Sequence, residues 1–179
     1  WTPDGAWLVF YSNRGGRYDL WKIRPDGTGL RQFTASATDE WIELYNTTNR
    51  PVSMAGWTLA ADDGTPSIQL AGTIGALSYF LLERTADTTI SNVSADQIYT
   101  GALGNEGEYL RLSDASNTLV DAVDASAGWM SGDNTTKQSM ERVSASQGGS
   151  KASNWAKNNI IKYNGKDAGV AIVYGTPGN

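Results

Sequence analysis

The chain of 179 residues contains no cysteine and no histidine. The first absence excludes disulfides, zinc–thiolate centres and thiol nucleophiles, and leaves the redox compartment open. The second removes Ser-His-Asp triads, histidine metal sites and the usual general base near neutral pH. No catalytic residue, metal site or cofactor is therefore expected. No apolar run approaches the roughly 18–20 residues that a membrane helix needs, so no membrane insertion is expected either. Positive charge is in deficit, with 14 Lys/Arg against 19 Asp/Glu, a net charge of −5 and a pI near 4.7. Phosphate contacts need clustered Lys and Arg, so this balance argues against nucleic acid and anionic membranes as partners.

What is present is a strand-forming vocabulary: 20 glycines, seven tryptophans and eight tyrosines. The length suits one domain, or one domain with a small appendage. A chain of this size buries roughly 70% of its unfolded surface, enough for a self-sufficient core. Charge is unevenly spread. Residues 1–36 carry five Lys/Arg and three Asp/Glu, and the remainder carries nine and sixteen. The change of sign near residue 36 marks a module boundary. Trp1 reads as a cut inside a longer protein or as a processed end.

Residues 1–34 alternate short apolar runs with turn formers. Pro3-Asp4-Gly5, Asn13 to Gly16 and Pro25-Asp26-Gly27 are turns. Leu8 and Phe10, then Leu20 and Ile23, then Phe33, mark the inward face of three strands. The segments Trp1-Thr2-Pro3-Asp4-Gly5, Ser12-Asn13-Arg14, Asp19-Leu20-Trp21 and Asp26-Gly27-Thr28-Gly29-Leu30 resemble one TolB-type propeller repeat. Trp7 departs from that pattern. A single blade cannot bury its own faces, so the resemblance implies further blades upstream. In their absence the blade is expected to dock on its neighbour or to self-associate through Trp1, Trp7 or Trp21.

The remainder reads as many short strands. From Glu40 to Leu59, Ile42 and Leu44 alternate with Glu43, the pattern of a strand with one wet face. Asn46 to Pro51 is a turn cluster, and Met54, Trp57 and Leu59 return apolar weight. Further runs lie at Ile68–Leu70, Tyr79–Leu82, Tyr109–Leu112 and Leu119–Val123, separated by Gly, Asn, Asp and Ser. Asp114-Ala115-Ser116-Asn117 reads as a hairpin turn. The best helical candidate is short, around Ser153–Lys157. This spacing indicates an all-β sandwich or barrel.

The strand pair at Glu40–Leu59 resembles the opening of a lamin tail domain of the bacterial type. The likeness continues through Gly104 to Leu112, Leu119-Val120-Asp121, Gly128-Trp129, Gly132-Asp133-Asn134, Ser139 to Arg142, Asn154-Trp155 and Gly175 to Asn179. Met130 stands where proline is expected. The resemblance implies an immunoglobulin-like β-sandwich over residues 39–179, preceded by a propeller-blade-like meander of three strands in residues 1–36. It also implies a secreted or bacterial cell-surface protein.

Chemistry-bearing residues have simple structural readings. Asp62-Asp63-Gly64 is a hairpin turn before it is an acid pair. Asp121 and Asp124 fall on opposite faces of one strand, which disfavours a shared metal. Glu141-Arg142 reads as a tie between a late strand and its neighbour. Asn46, Asn92 and Asn134 head formal glycosylation triplets of little weight. Among the aromatics, Trp41 and Tyr45 share the face opposite Ile42 and Leu44, and Trp129 lies in a Gly-rich loop. These three are the candidate exposed binding residues. The expected function is a non-catalytic interaction or surface-attachment module with a protein or cell-surface partner. A carbohydrate-binding accessory domain is the alternative, and a carboxylate-dependent hydrolase ranks last.

Overall fold

The computed structural model describes residues 8–12, 19–26, 31–32, 40–133, 135–167 and 171–178, with the backbone path alone in the first three strands. The chain divides into two compact units, residues 1–39 and 40–179. In the first, β1 (Leu8–Ser12), β2 (Asp19–Ile23) and β3 (Arg31–Gln32) form an antiparallel meander. Phe10 stands opposite Trp21, and Trp21 opposite Gln32. The turn after β2 contains Pro25 and Asp26. The turns at residues 3–5 and 13–16, the burial expected of Leu8, Phe10, Leu20, Ile23 and Phe33, and any contact through Trp1, Trp7 or Trp21 lie outside what is described.

The second unit is built on two sheets. One comprises β4 (Trp41–Tyr45), β9 (Tyr79–Arg84) and β10 (Gln97–Tyr99), with β9 central, antiparallel to β4 and parallel to β10. The other comprises β6 (Thr58–Ala61), β7 (Ser67–Gln69), β11 (Tyr109–Ser113) and β12 (Leu119–Asp124), in the antiparallel order β12-β11-β6-β7. A short ribbon of β5 (Val52–Ser53) and β8 (Thr73–Ile74) lies between the strands of the first sheet in sequence.

The core follows from period-two alternation. Leu59, Ala61, Ile68 and Leu110 from the larger sheet meet Phe80, Leu82 and Tyr99 from the smaller one, with Met54, Leu70 and Ile74 completing the cluster. Ile42, Leu44, Trp57 and Leu112 pack against it half-buried. The expected register of Ile42 and Leu44 therefore holds, but neither is sealed, because β4 has a neighbour on one side only. The hairpin turns also stand where the sequence places them. Asp114 Oδ1 accepts the N–H groups of Ser116 and Thr118, while Asn117 takes φ of 60°. Asp63 Oδ1 accepts the Thr65 N–H, and Gly64 takes φ of 89°.

The C-terminal segment adds two small ribbons: β13 (Met140–Arg142) with β14 (Trp155–Lys157), and β15 (Gly165–Lys166) with β16 (Ile172–Val173). The helix expected around Ser153–Lys157 is replaced by a single 3-10 turn, Ala152–Asn154, that runs into β14. Pairing with β13 and the buried Asn154 override the weak local signal. The Asn154 amide donates to the carbonyls of Ser144 and Gln147 and its oxygen accepts the Ser144 N–H. Arg142 ties this segment to the sandwich through a bidentate pair with Asp121, at 2.6 and 2.9 Å.

The wet face assigned to β4 is not wet. Leu81 and Glu83, opposite Glu43 and Trp41 on that outer face, are 2% and 0% exposed. The segment after β9 and the C-terminal ribbons join each other there. Ser91 N–H donates to Lys166 O and Lys166 N–H to Asn92 Oδ1, both at 2.7 Å. Gly175 lies so close to the Trp41 ring that a Cβ would stand 2.9 Å from it. The Gly178 N–H donates to Glu43 Oε1 at 2.6 Å. The smaller sheet is thus covered on both faces except at its Tyr45–Tyr79 end. Alternation of Ile42 and Leu44 with Glu43 showed which side chains share a face and could not show what covers it.

Candidate functional site

The outer face of β4 and β9 changes character along the strands. At one end Glu83 is sealed, its two oxygens accepting the N–H groups of Thr89 (2.9 Å) and Ile90 (3.0 Å). Burial raises its pKa despite those bonds. In the middle, burial pushes the Glu43 carboxyl up to about 7, opposed by the Gly178 N–H and reinforced by the nearby carboxylates of Glu141 and Asp96. At the far end the face opens. Tyr45 and Tyr79 stand opposite each other, 40% and 36% exposed, with ring centroids 4.7 Å apart and planes tilted by 39°. Burial first, then Glu43, raises the Tyr79 hydroxyl. Leu77, two residues before Tyr79, is 58% exposed and has φ of 49°. Its N–H donates to Thr48 O at 3.0 Å. Buried Asn46 anchors the same end, its amide donating to the carbonyls of Arg50 and Gly75 and its oxygen accepting from Thr48.

A carboxyl that titrates near 7 has the proton affinity of a general acid–base group. The rim around it is nevertheless engaged by the fold. Asp96 Oδ2 accepts the Leu81 N–H, and Glu141 Oε1 accepts from Ser139 and Asn158. Glu43 itself holds the Gly178 backbone. What remains open is apolar and aromatic: Tyr45, Tyr79 and Leu77.

Of the three candidate binding residues, Tyr45 alone is exposed. Trp41 is half-buried beside Gly175, because the C-terminal segment covers its end of the sheet. Trp129 is half-buried against the core, and its indole N–H donates to Gly104 O at 2.8 Å. A buried indole N–H needs such a partner, and the Gly-rich loop supplies it. Tyr79, Leu77 and Glu43 were missed. Tyr79–Leu82 reads as a continuous apolar run, as central strands covered on both faces do, and that hides which residues reach the open end.

The other candidates resolve into structure. Asp62 pairs with Arg111 at the surface. Asp124 accepts from the Ser126 backbone and hydroxyl, which lowers its pKa. Glu40 joins Arg84 at 2.9 Å and accepts the Leu103 N–H, and Glu108 accepts the Gly104 N–H, so both hold the loop before β11. Among the described residues no group of three or more Asp or Glu could hold a metal ion. The Asn46 and Asn92 amides donate to backbone carbonyls, and Asn134 lies outside the described residues. Among the described residues no helix is long and apolar enough to cross a membrane.

A family model described as Lamin Tail Domain matches residues 21–127, more than half of the chain. The match begins in β2 and ends before Gly128, so the C-terminal segment that covers the outer face lies beyond it. An uncharacterized protein of Agrobacterium fabrum is 39% identical over 42 residues, which make up 24% of this chain and 14% of that protein. The chain thus spans a small part of that relative's length. No solved structure matches the chain.

Proposed function

The chain belongs to the lamin tail domain family, typically non-enzymatic immunoglobulin-like modules, and on that premise we propose that it is a contact module of a bacterial exported protein, attaching it to a protein at the cell surface. The exposed Tyr45–Tyr79 pair carries this reading. Two tilted tyrosines beside an exposed leucine offer a small amphipathic patch, and tyrosine is enriched where proteins meet. Withdrawal of Trp41 and Trp129 into packing argues against the broad aromatic platform that a sugar-binding reading needs. Non-catalysis is supported by carboxylates that are committed to backbone and side-chain donors. For residues 1–34 we infer a blade of the TolB type, a reading with which the sequential β1-β2-β3 meander is compatible.

Washed bacterial cells incubated with the 179-residue chain test the proposal. Cell association is expected to fall after proteolytic shaving of the cells, and to fall at least about fivefold in Y45A/Y79A, the size of effect typical of interface aromatics. Association that survives shaving and is competed by isolated cell-wall polysaccharide would transfer the site to carbohydrate. Equal association of the variant would remove the tyrosines from the site.

A further inference from the structure

The turn after β14 presents an apolar tip. Ile161 is 85% exposed and Ile160 is 53% exposed. Ile160 has φ of 58°, a left-handed conformation that β-branched residues rarely hold. The turn is built to hold it. Asn158 is buried, its amide donating to Glu141 Oε1 (2.7 Å) and Lys162 O (2.9 Å), its oxygen accepting the Ile160 N–H (2.8 Å). Asn159 Oδ1 accepts the N–H groups of Ile161 and Lys162. Two isoleucines are therefore kept outward against the hydrophobic effect, Ile160 against backbone preference as well, and strain that the surroundings maintain points to function.

Basic residues are concentrated in the sequence that carries the tip. Between Glu141 and Asp167 the sequence contains Arg142, Lys151, Lys157, Lys162 and Lys166 and no Asp or Glu, in a chain of net charge −5. Arg142 is committed to Asp121, and Lys157 approaches Asp133 at 3.4 Å. Lys162, next to the tip, and Lys166, in the strand that follows, are exposed. Tyr163 is 40% exposed and packs edge-on against Tyr174 at 4.9 Å. Net charge averages over this segregation, whereas a surface within a Debye length of about 8 Å senses the local sign.

We propose that this turn docks on an anionic phospholipid bilayer, with Ile160 and Ile161 entering the acyl boundary and Lys162 and Lys166 meeting the phosphates. Aliphatic tips, flanking ammonium groups and a tyrosine at headgroup level are the chemistry of the water–lipid interface. A second copy of the chain fits poorly, because it would bring the lysines of both copies together. Two isoleucines and a few lysines give weak, reversible attachment, strengthened when the bilayer is strongly anionic. The site does not use Tyr45 or Tyr79.

Cosedimentation of the 179-residue chain with large vesicles tests this. Phosphatidylcholine vesicles containing roughly one-third phosphatidylglycerol are expected to retain the chain, pure phosphatidylcholine vesicles to retain little, and salt to weaken retention. I160N/I161N is expected to lower the partition coefficient about tenfold or more. Its melting temperature should hold or rise, because Asn accepts a left-handed φ more readily than Ile. K162E/K166E should lower retention on anionic vesicles at low salt without changing the melting temperature. No retention of the wild type overturns the proposal, as does equal retention of I160N/I161N. Preference for poly-glutamate over anionic vesicles also overturns it, in favour of an acidic protein partner. Loss of cell association in Y45A/Y79A with vesicle binding intact would separate this site from the tyrosine pair.

Discussion

The two faces of the β4–β9 ribbon are both covered, but by different parts of the chain. The inner face, with Ile42, Leu44, Phe80 and Leu82, meets the larger sheet of the sandwich. The outer face, with Trp41, Glu43, Leu81 and Glu83, meets the C-terminal segment and the stretch after β9, and opens at Tyr45 and Tyr79. The inner face is apolar as far as its end, where Arg84 pairs with Glu40. The outer one mixes sealed Leu81 with carboxyls that need backbone N–H partners. A face covered by irregular segments meets their unpaired backbone donors, and buried Glu is a way to satisfy them. The family match covers every strand of the sandwich and stops before the segment beyond Gly128.

The comparison breaks most visibly through bulk deletion. L82A on the inner face and L81A on the outer face are each expected to cost about 2–5 kcal/mol in chemical denaturation, since both residues are sealed. A cost below about 1 kcal/mol for L81A would mean that the outer covering is loosely held. Next in size is E83A, which leaves the Thr89 and Ile90 N–H groups without acceptors and is expected to cost about 2–3 kcal/mol, with E83Q nearer 1. Hydrogen exchange at those two amides should quicken in E83A before the sandwich amides do.

The smallest effect is a pH dependence. Glu43 binds its proton more tightly folded than unfolded, with a folded pKa near 7 against 4.5. Its contribution is therefore fully present below about pH 4.5, declines as pH rises, and is gone above about 7. Solvent screening keeps it to on the order of 1–2 kcal/mol. Glu83 and Glu108 are shifted in the same direction, so the measurement is the difference between wild type and E43Q across that window. A flat difference would show that the Gly178 N–H holds Glu43 ionised and that the outer face is wetter than the inner one at this point.

Much of the sandwich was legible in the residues themselves. Alternation at Leu59–Ala61, Leu110–Leu112 and Ile42–Leu44 follows from the two-residue period of a strand, a local property of the chain. The turns at Asp62–Gly64 and Asp114–Asn117 follow from residues whose side chains bond their own backbone or whose φ can be positive. These preferences act over a few residues, so sequence alone determined the all-β class and the inward register. What covers the outer face depended on contacts between Glu43 and Gly178, Asn92 and Lys166, and Trp41 and Gly175. Only the tertiary structure decided that Trp41 and Trp129 withdraw, that Tyr45 finds Tyr79, and that Ile160 and Ile161 are held outward. The physical reason is that a side chain's period assigns it a face, whereas its exposure is set by whichever distant segment packs there, and no local preference encodes that partner.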